Sequence, residues 1–194
     1  MPFDVTIQHD LKKLKQQLNT LETKVAPQAT IRTLNRVAES AKVASARHIA
    51  PQMNSRQAAV KRRIETRKAT AKMLWATLVA SERALQLIEF VVGSKKPTQQ
   101  PGGKRGLVKA KVYGKTRTLS KAFIAPRRSG SRKTTVYIRT SPKRKPLKLL
   151  YGPGIMQLFR QKENDQVMQA KVRERFPIEF ARNLLFYINR YKRP

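Results

Sequence analysis

The chain contains no cysteine, so neither a disulfide bond nor a thiolate metal site can form. Only two histidines are present, His9 and His48, and they lie on separate predicted helices without a carboxylate pair at ligand spacing. Aromatic residues make up only 7% of the chain. No apolar run approaches the roughly 18 residues that suggest a membrane span. The sequence therefore predicts no metal site and no membrane-spanning segment.

Acidic residues are also scarce. Eleven Asp and Glu are set against 43 Lys and Arg, which gives a formal net charge of +32 in 194 residues. The stretch 90–162 holds twenty of the cations and no carboxylate, and Glu89 and Glu163 are the acids nearest to it. Acid–base catalysis needs a pair of groups with contrasting pKa values, so we expect no enzymatic activity and no cofactor. A field of one sign instead attracts a polyanion or an acidic protein surface.

Three helices are predicted in an N-terminal region that spans residues 1–70, at about 5–25, 28–50 and 55–70. Pro27 suits the first turn of the second helix, and Pro51 predicts its end. The third helix, with Ser55 as its expected cap, has one cationic face that includes Arg62 and Arg63. That face is either a solvated surface or a contact for phosphate or acidic side chains.

The first of these helices has a narrow apolar stripe. Its leucines recur at helical spacing and are the candidate residues for oligomer or partner packing: Leu11, Leu14, Leu18 and Leu21. The stripe packs either on its own domain or against a neighbouring subunit in a short coiled-coil-like contact.

The remainder, residues 71–194, is predicted to form an α+β domain with a small antiparallel sheet at about 71–151 and a long C-terminal helix at about 163–192. Alternation of Val136 and Ile138 with Thr and Tyr is typical of a strand. Long basic loops at 93–106, 127–133 and 141–146 join the short strands. Pro177 predicts a kink in the C-terminal helix or the start of a second helix.

The exposed cations of the third helix and of the loops are the candidate contacts for a nucleic acid or an acidic partner. They are Arg62, Arg63, Arg127, Arg128, Arg132, Lys133, Lys143, Arg144 and Lys145. Most of the aromatic residues that could stack on bases occupy core-like strand positions; the five are Tyr113, Phe123, Tyr137, Tyr151 and Phe159. Any DNA contact is therefore expected at the phosphate backbone, without sequence specificity.

Six short segments, taken in order, resemble the minor tail protein Z family of long-tailed bacteriophages, which includes the lambda-type tail completion protein. They are TLNRVA at 33–38, VKRRI at 60–64 with KAT at 68–70, AFI at 122–124, VYIR at 136–139, PLKLLYGP at 146–153 and RFPIEF at 175–180. The resemblance covers about residues 7–190 and carries over no catalytic residue.

The resemblance implies a virion protein, made in the host cytoplasm, that acts late in assembly at the head-proximal end of the tail. It also implies a cyclic homo-oligomer around the DNA channel, with the tail terminator and tail tube proteins as neighbours and a possible contact with genome DNA. Two other functions fit the composition: an RNA-bound structural protein of ribosomal type, and a basic assembly module that binds only acidic protein partners.

Overall fold

The computed structural model describes residue 19 and residues 21–97, 107–127, 133–142 and 146–192. It is an α+β structure, as predicted. A π-helical turn, Leu21–Val25, leads into α1 (Ala26–Met53), which is followed by the short α2 (Gln57–Lys61). Seven strands follow in this part of the chain, then α3 (Met156–Phe159) and the long α4 (Lys162–Lys192). Leu11, Leu14 and Leu18 lie outside the described residues, and Leu21 is half-buried in the π-helical turn.

The described strands form three small sheets rather than the single predicted sheet. They are β1 (Ile64–Arg67) with β2 (Thr77–Ala80), β3 (Val108–Val112) with β4 (Lys115–Leu119), and β5 (Ala122–Pro126) with β6 (Thr134–Arg139) and β7 (Leu147–Leu149). The burial in β3 alternates, because Val108 and Ala110 are buried while Lys109 and Lys111 are exposed. A 3-10 turn, Leu87–Phe90, lies between β2 and β3.

The end of α1 was predicted too early. Pro51 lies inside the last turn, and the helix continues to Met53. Proline removes one backbone donor, but Ile49 and Met53 are fully buried, and their packing offsets that loss. The helix ends at Asn54, whose φ of 57° is left-handed, and the Ser55 N–H donates to the Ala50 carbonyl at 3.0 Å. Asparagine is one of the few residues that adopt this conformation readily, so it provides the stop.

The helix predicted over 55–70 is wrong beyond its first turns. α2 covers only Gln57–Lys61, its N-cap is Arg56 rather than Ser55, and the chain then becomes strand β1. Ile64 is buried in this strand, where its branched side chain packs well. In addition, the Thr66 hydroxyl donates to Glu39 Oε1 at 2.6 Å. Tertiary contacts therefore override a basic segment whose residue types suit a helix.

The C-terminal helix is confirmed. α4 runs without interruption from Lys162 to Lys192, with Pro177 inside it, so no second helix starts at the proline. Within the described ranges, none of the helices combines the length and the apolar character that crossing a membrane requires.

The chain forms two compact units, each made from stretches that are distant in sequence. The described parts of residues 1–41, 66–78 and 169–194 form unit 1, and those of residues 42–65 and 79–168 form unit 2. The core of unit 2 includes Met53, Val60, Phe90, Val136 and Ile155.

Unit 1 is held by a buried polar cluster between α1 and α4. Asn183 Nδ2 donates to the Thr33 hydroxyl at 3.0 Å, and that hydroxyl donates to the Ala29 carbonyl at 2.7 Å. Glu179 is nearly buried, and its carboxylate pairs with Arg36 at 3.1 Å and with Arg175 at 3.2 Å. These contacts make one carboxylate the electrostatic centre of the helix pair.

We expect Glu179→Ala to lower the free energy of unfolding by about 2 kcal/mol, because the two arginines lose their shared sheltered partner. Glu174 is a matched control: its carboxylate is 56% exposed and pairs with Lys171 on the same helix. Glu174→Ala should cost less than about 0.5 kcal/mol. Urea denaturation of both variants measures the difference, and equal losses would contradict the assignment.

Candidate functional site

A basic cleft in unit 2 collects cations from distant parts of the chain. Its volume is about 540 Å³. Six cationic side chains line it: Arg56, Arg62, Arg63, Lys95, Arg127 and Lys133. The first three come from the ends of α2, Lys95 follows the 3-10 turn, and the last two flank the loop between β5 and β6. The fold therefore concentrates in one concave surface cations that are as many as 77 positions apart.

Glu89 is the one carboxylate among the described residues that line this basic cleft. Its Oε2 accepts from Arg56 Nη2 at 2.9 Å and from Arg56 Nε at 3.0 Å, and its Oε1 accepts from Arg62 Nη2 at 3.2 Å. The Glu89 side chain is 10% exposed, while those of Arg56 and Arg62 are 65% and 71% exposed. A single sheltered carboxylate thus orients two arginines whose outer faces stay open to solvent.

Backbone contacts fix the remaining walls of the basic cleft. Arg63 Nη2 donates to the Ala84 carbonyl at 2.9 Å, and the Arg127 N–H donates to the Lys133 carbonyl at 2.9 Å. The second bond joins the residues on either side of segment 128–132. The Thr134 hydroxyl donates to the Lys95 carbonyl at 3.0 Å. These bonds fix the backbone at the walls of the basic cleft and the Arg63 side chain before any ligand arrives, which lowers the entropic cost of binding.

The pKa of Lys95 reflects the burial and the charges around it in the basic cleft. Burial lowers the pKa of its ammonium below 10.5, the Arg56 charge lowers it further, and Glu89 acts in the opposite direction. The Lys95 ammonium also donates to the Glu89 carbonyl at 3.4 Å. Burial and the Arg56 charge together therefore outweigh the opposing effect of Glu89 on the Lys95 ammonium. A bound anion would raise the pKa of Lys95 and relieve the repulsion.

The structure brings together four of the nine predicted contact residues: Arg62, Arg63, Arg127 and Lys133. The other five, Arg128, Arg132, Lys143, Arg144 and Lys145, lie outside the described residues. Sequence reasoning missed Arg56, Lys95 and the central role of Glu89. The available signal was the position of Glu89 as the last acid before the carboxylate-free stretch.

In the part of the chain that the structure describes, no group of three or more His, Cys, Asp or Glu side chains is arranged to hold a metal ion. A family profile described as prophage minor tail protein Z matches residues 10–193. The chain belongs to the prophage minor tail protein Z family. No curated protein and no solved structure gives a significant match.

Membership of the minor tail protein Z family gives the chain a structural role in a phage tail and places it in the virion. Arg62 and Arg63 of the basic cleft lie within the matched residues.

We expect Glu89→Ala to destabilise the protein by about 1–2 kcal/mol at low salt, because Arg56 and Arg62 lose their shared partner beside four other cations. Added salt should restore part of the loss by screening the repulsion. Glu82→Ala, which removes the same charge from an exposed position, is the control and should have little effect. Thermal unfolding across a salt series measures both; a loss that grows with salt would refute the explanation.

Proposed function

We propose that this protein is a tail completion protein that acts at the head-proximal end of the tail and contacts the phosphate backbone of genome DNA through its basic cleft. The observation that carries the proposal is the basic cleft itself, which six cationic side chains and one carboxylate line, with two of the arginines held by that carboxylate. Arginine presents a planar fork of donors that suits phosphate oxygens, and lysine adds a point charge.

The geometry suits backbone contact and not base reading. The cations of the basic cleft lie at its walls. In the described part of unit 2, no helix is placed like a recognition helix that enters the major groove of DNA. Phosphate contacts position a protein on DNA without reading sequence. A tail component that meets whatever sequence lies at the genome end needs this kind of contact.

A cyclic homo-oligomer belongs to the same proposal. A ring would repeat the +32 charge of the chain around a channel, and that arrangement repels itself unless a polyanion lies within it. DNA in the channel would provide the counter-charge. The surrounding tail terminator and tail tube proteins are the proposed neighbours.

An acidic protein partner is the second candidate, since the same exposed arginines would pair with carboxylates. Family membership in a phage tail favours both of these candidates over an RNA-bound protein of ribosomal type. DNA binding by the purified protein separates the two.

The double substitution Arg127→Gln with Lys133→Gln tests the contact. Each lost phosphate contact removes about 0.9 from the slope of log K against log salt on duplex DNA, so the slope should become shallower by about 1.8. Arg173→Gln with Arg182→Gln, both exposed on α4, removes the same charge outside the basic cleft and should change the slope much less. Equal changes in the two variants, or no DNA binding near 150 mM salt, would favour the acidic partner.

Particles test the role and the position. Neutralising the cations of segments 127–133 and 143–145 should leave the fold intact and lower DNA retention and infectivity, because the genome end loses its backbone contacts. Gold labelling of a tagged copy should mark the end of the tail nearest the head. Full infectivity of the neutralised phage, or labelling at the distal tip, would disprove the proposal.

A further inference from the structure

A second cleft, the tyrosine cleft, lies in unit 2 beside the basic cleft. Its volume is about 580 Å³, and its floor is formed by apolar side chains of β3, β4 and segment 150–153. Tyr113, Tyr151, Lys115 and Arg117 also line it. The 3-10 turn is a shared wall, because Leu87 lines the tyrosine cleft while Ile88 and Glu89 line the basic cleft.

The cations of the tyrosine cleft lie on an otherwise apolar face. The β3–β4 register pairs Ala110 with Arg117 and Val112 with Lys115, and directly paired residues project from the same face of a sheet. Ala110 is buried, whereas Lys115 and Arg117 are exposed. Among the described residues that line the tyrosine cleft, no carboxylate is present to neutralise these two charges. The cleft is therefore suited to a ligand that combines negative charge with flat apolar surface.

Neither tyrosine of the tyrosine cleft is buried. Tyr113 is 43% exposed and Tyr151 is 59% exposed. Tyr113 belongs to the β3–β4 turn, and Tyr151 lies beyond the end of β7. Their rings are available for stacking at the edge of an apolar floor.

The backbone at Tyr113 gives an independent indication. Tyr113 and Gly114 form the two-residue connection between β3 and β4, and both have positive φ, 49° and 76°. Asn-Gly is the favoured pair for such a turn, and a bulky residue at the first position is strained. The Gly114 N–H donates to Asn54 Oδ1 at 2.7 Å, which braces the turn. The stability of the turn does not explain why a tyrosine occupies this position. Backbone strain of this kind is found preferentially at binding sites.

We propose that the tyrosine cleft binds unpaired bases of single-stranded DNA, with Tyr113 and Tyr151 as stacking surfaces and Lys115 and Arg117 as phosphate contacts. This inference rests on the proposed DNA contact and defines its substrate class as a strand with unpaired bases. Aromatic stacking beside a basic groove binds any base, since every base has a flat π-face. Paired bases are already stacked within the duplex, so the tyrosine cleft discriminates against duplex DNA.

Charge favours DNA over an apolar protein side chain as the occupant. Two adjoining clefts bring together eight cations and one carboxylate, and a nucleic acid strand supplies an anion at every nucleotide together with an apolar base. The strand would lie with phosphates along the basic cleft and bases in the tyrosine cleft, on either side of the 3-10 turn.

The test compares three probes of about 12 nucleotides: oligothymidylate, an abasic strand with the same phosphates, and a duplex. The wild-type protein should bind oligothymidylate at least about tenfold more tightly than the abasic strand, because only the former can stack. Tyr113→Asn should remove about tenfold of that preference and leave duplex binding unchanged. Asparagine is favoured in the turn, so the melting temperature of this variant should be equal or higher.

Tyr151→Leu is the second variant, and it should weaken oligothymidylate binding in the same way while keeping an apolar side chain at the rim. Arg127→Gln with Lys133→Gln is the matched comparison and should weaken all three probes together. Duplex binding without a preference for oligothymidylate over the abasic strand, or an unchanged preference in both tyrosine variants, would overturn the inference but not the proposed function. Failure to bind any probe would overturn both.

Discussion

Each compact unit of this protein depends on one sheltered carboxylate that two arginines share. Glu179 pairs with Arg36 and Arg175 in unit 1, and Glu89 pairs with Arg56 and Arg62 in unit 2. A chain with eleven acids and 43 cations cannot neutralise its charges pair by pair. Placing a carboxylate where water is excluded strengthens its interaction with both partners. Among the described residues, two acids therefore order four arginines.

The remaining positive charge links the fold to its role. A surface of one sign destabilises a compact state by self-repulsion, and an anionic partner relieves it. At the basic cleft, burial lowers the pKa of Lys95, and the neighbouring charge of Arg56 lowers it further. A minor tail protein is built into a large assembly, so the partner that completes its electrostatics can be another component of the particle. Stability and binding are then coupled, since whatever binds the cleft also stabilises the folded chain.

The sequence predicted the elements whose pattern is long and regular. The long helices α1 and α4 and the strand with Val136 and Ile138 were predicted from the sequence, and these elements are present. The end of α1 at Asn54 and the change from α2 to β1 were missed, because a left-handed cap and a buried Ile64 decide them. Local pattern does not contain that information.

The sequence predicted which kind of residue forms the candidate site, but not how those residues are arranged. The acid-free stretch indicated where positive charge would accumulate, and it contains Lys95, Arg127 and Lys133. Arg56 and Glu89 join them only because the fold brings α2 and the 3-10 turn to the same cleft. The exposure of Tyr113 and Tyr151 likewise depends on where strands end, which periodicity alone does not fix.

The two groups, each of one carboxylate and two arginines, differ in how far their arginine side chains are exposed, and this difference indicates different functions. Arg36 and Arg175 are 41% and 38% exposed, and an anion that drew them away from Glu179 would leave a sheltered carboxylate without a partner. Arg56 and Arg62 are 65% and 71% exposed, so more of each guanidinium is open to solvent. A phosphate can approach those faces while Glu89 keeps its own contacts, so no sheltered charge has to lose its partner on binding. The same arrangement of charges is therefore structural in unit 1 and suited to ligand binding in unit 2.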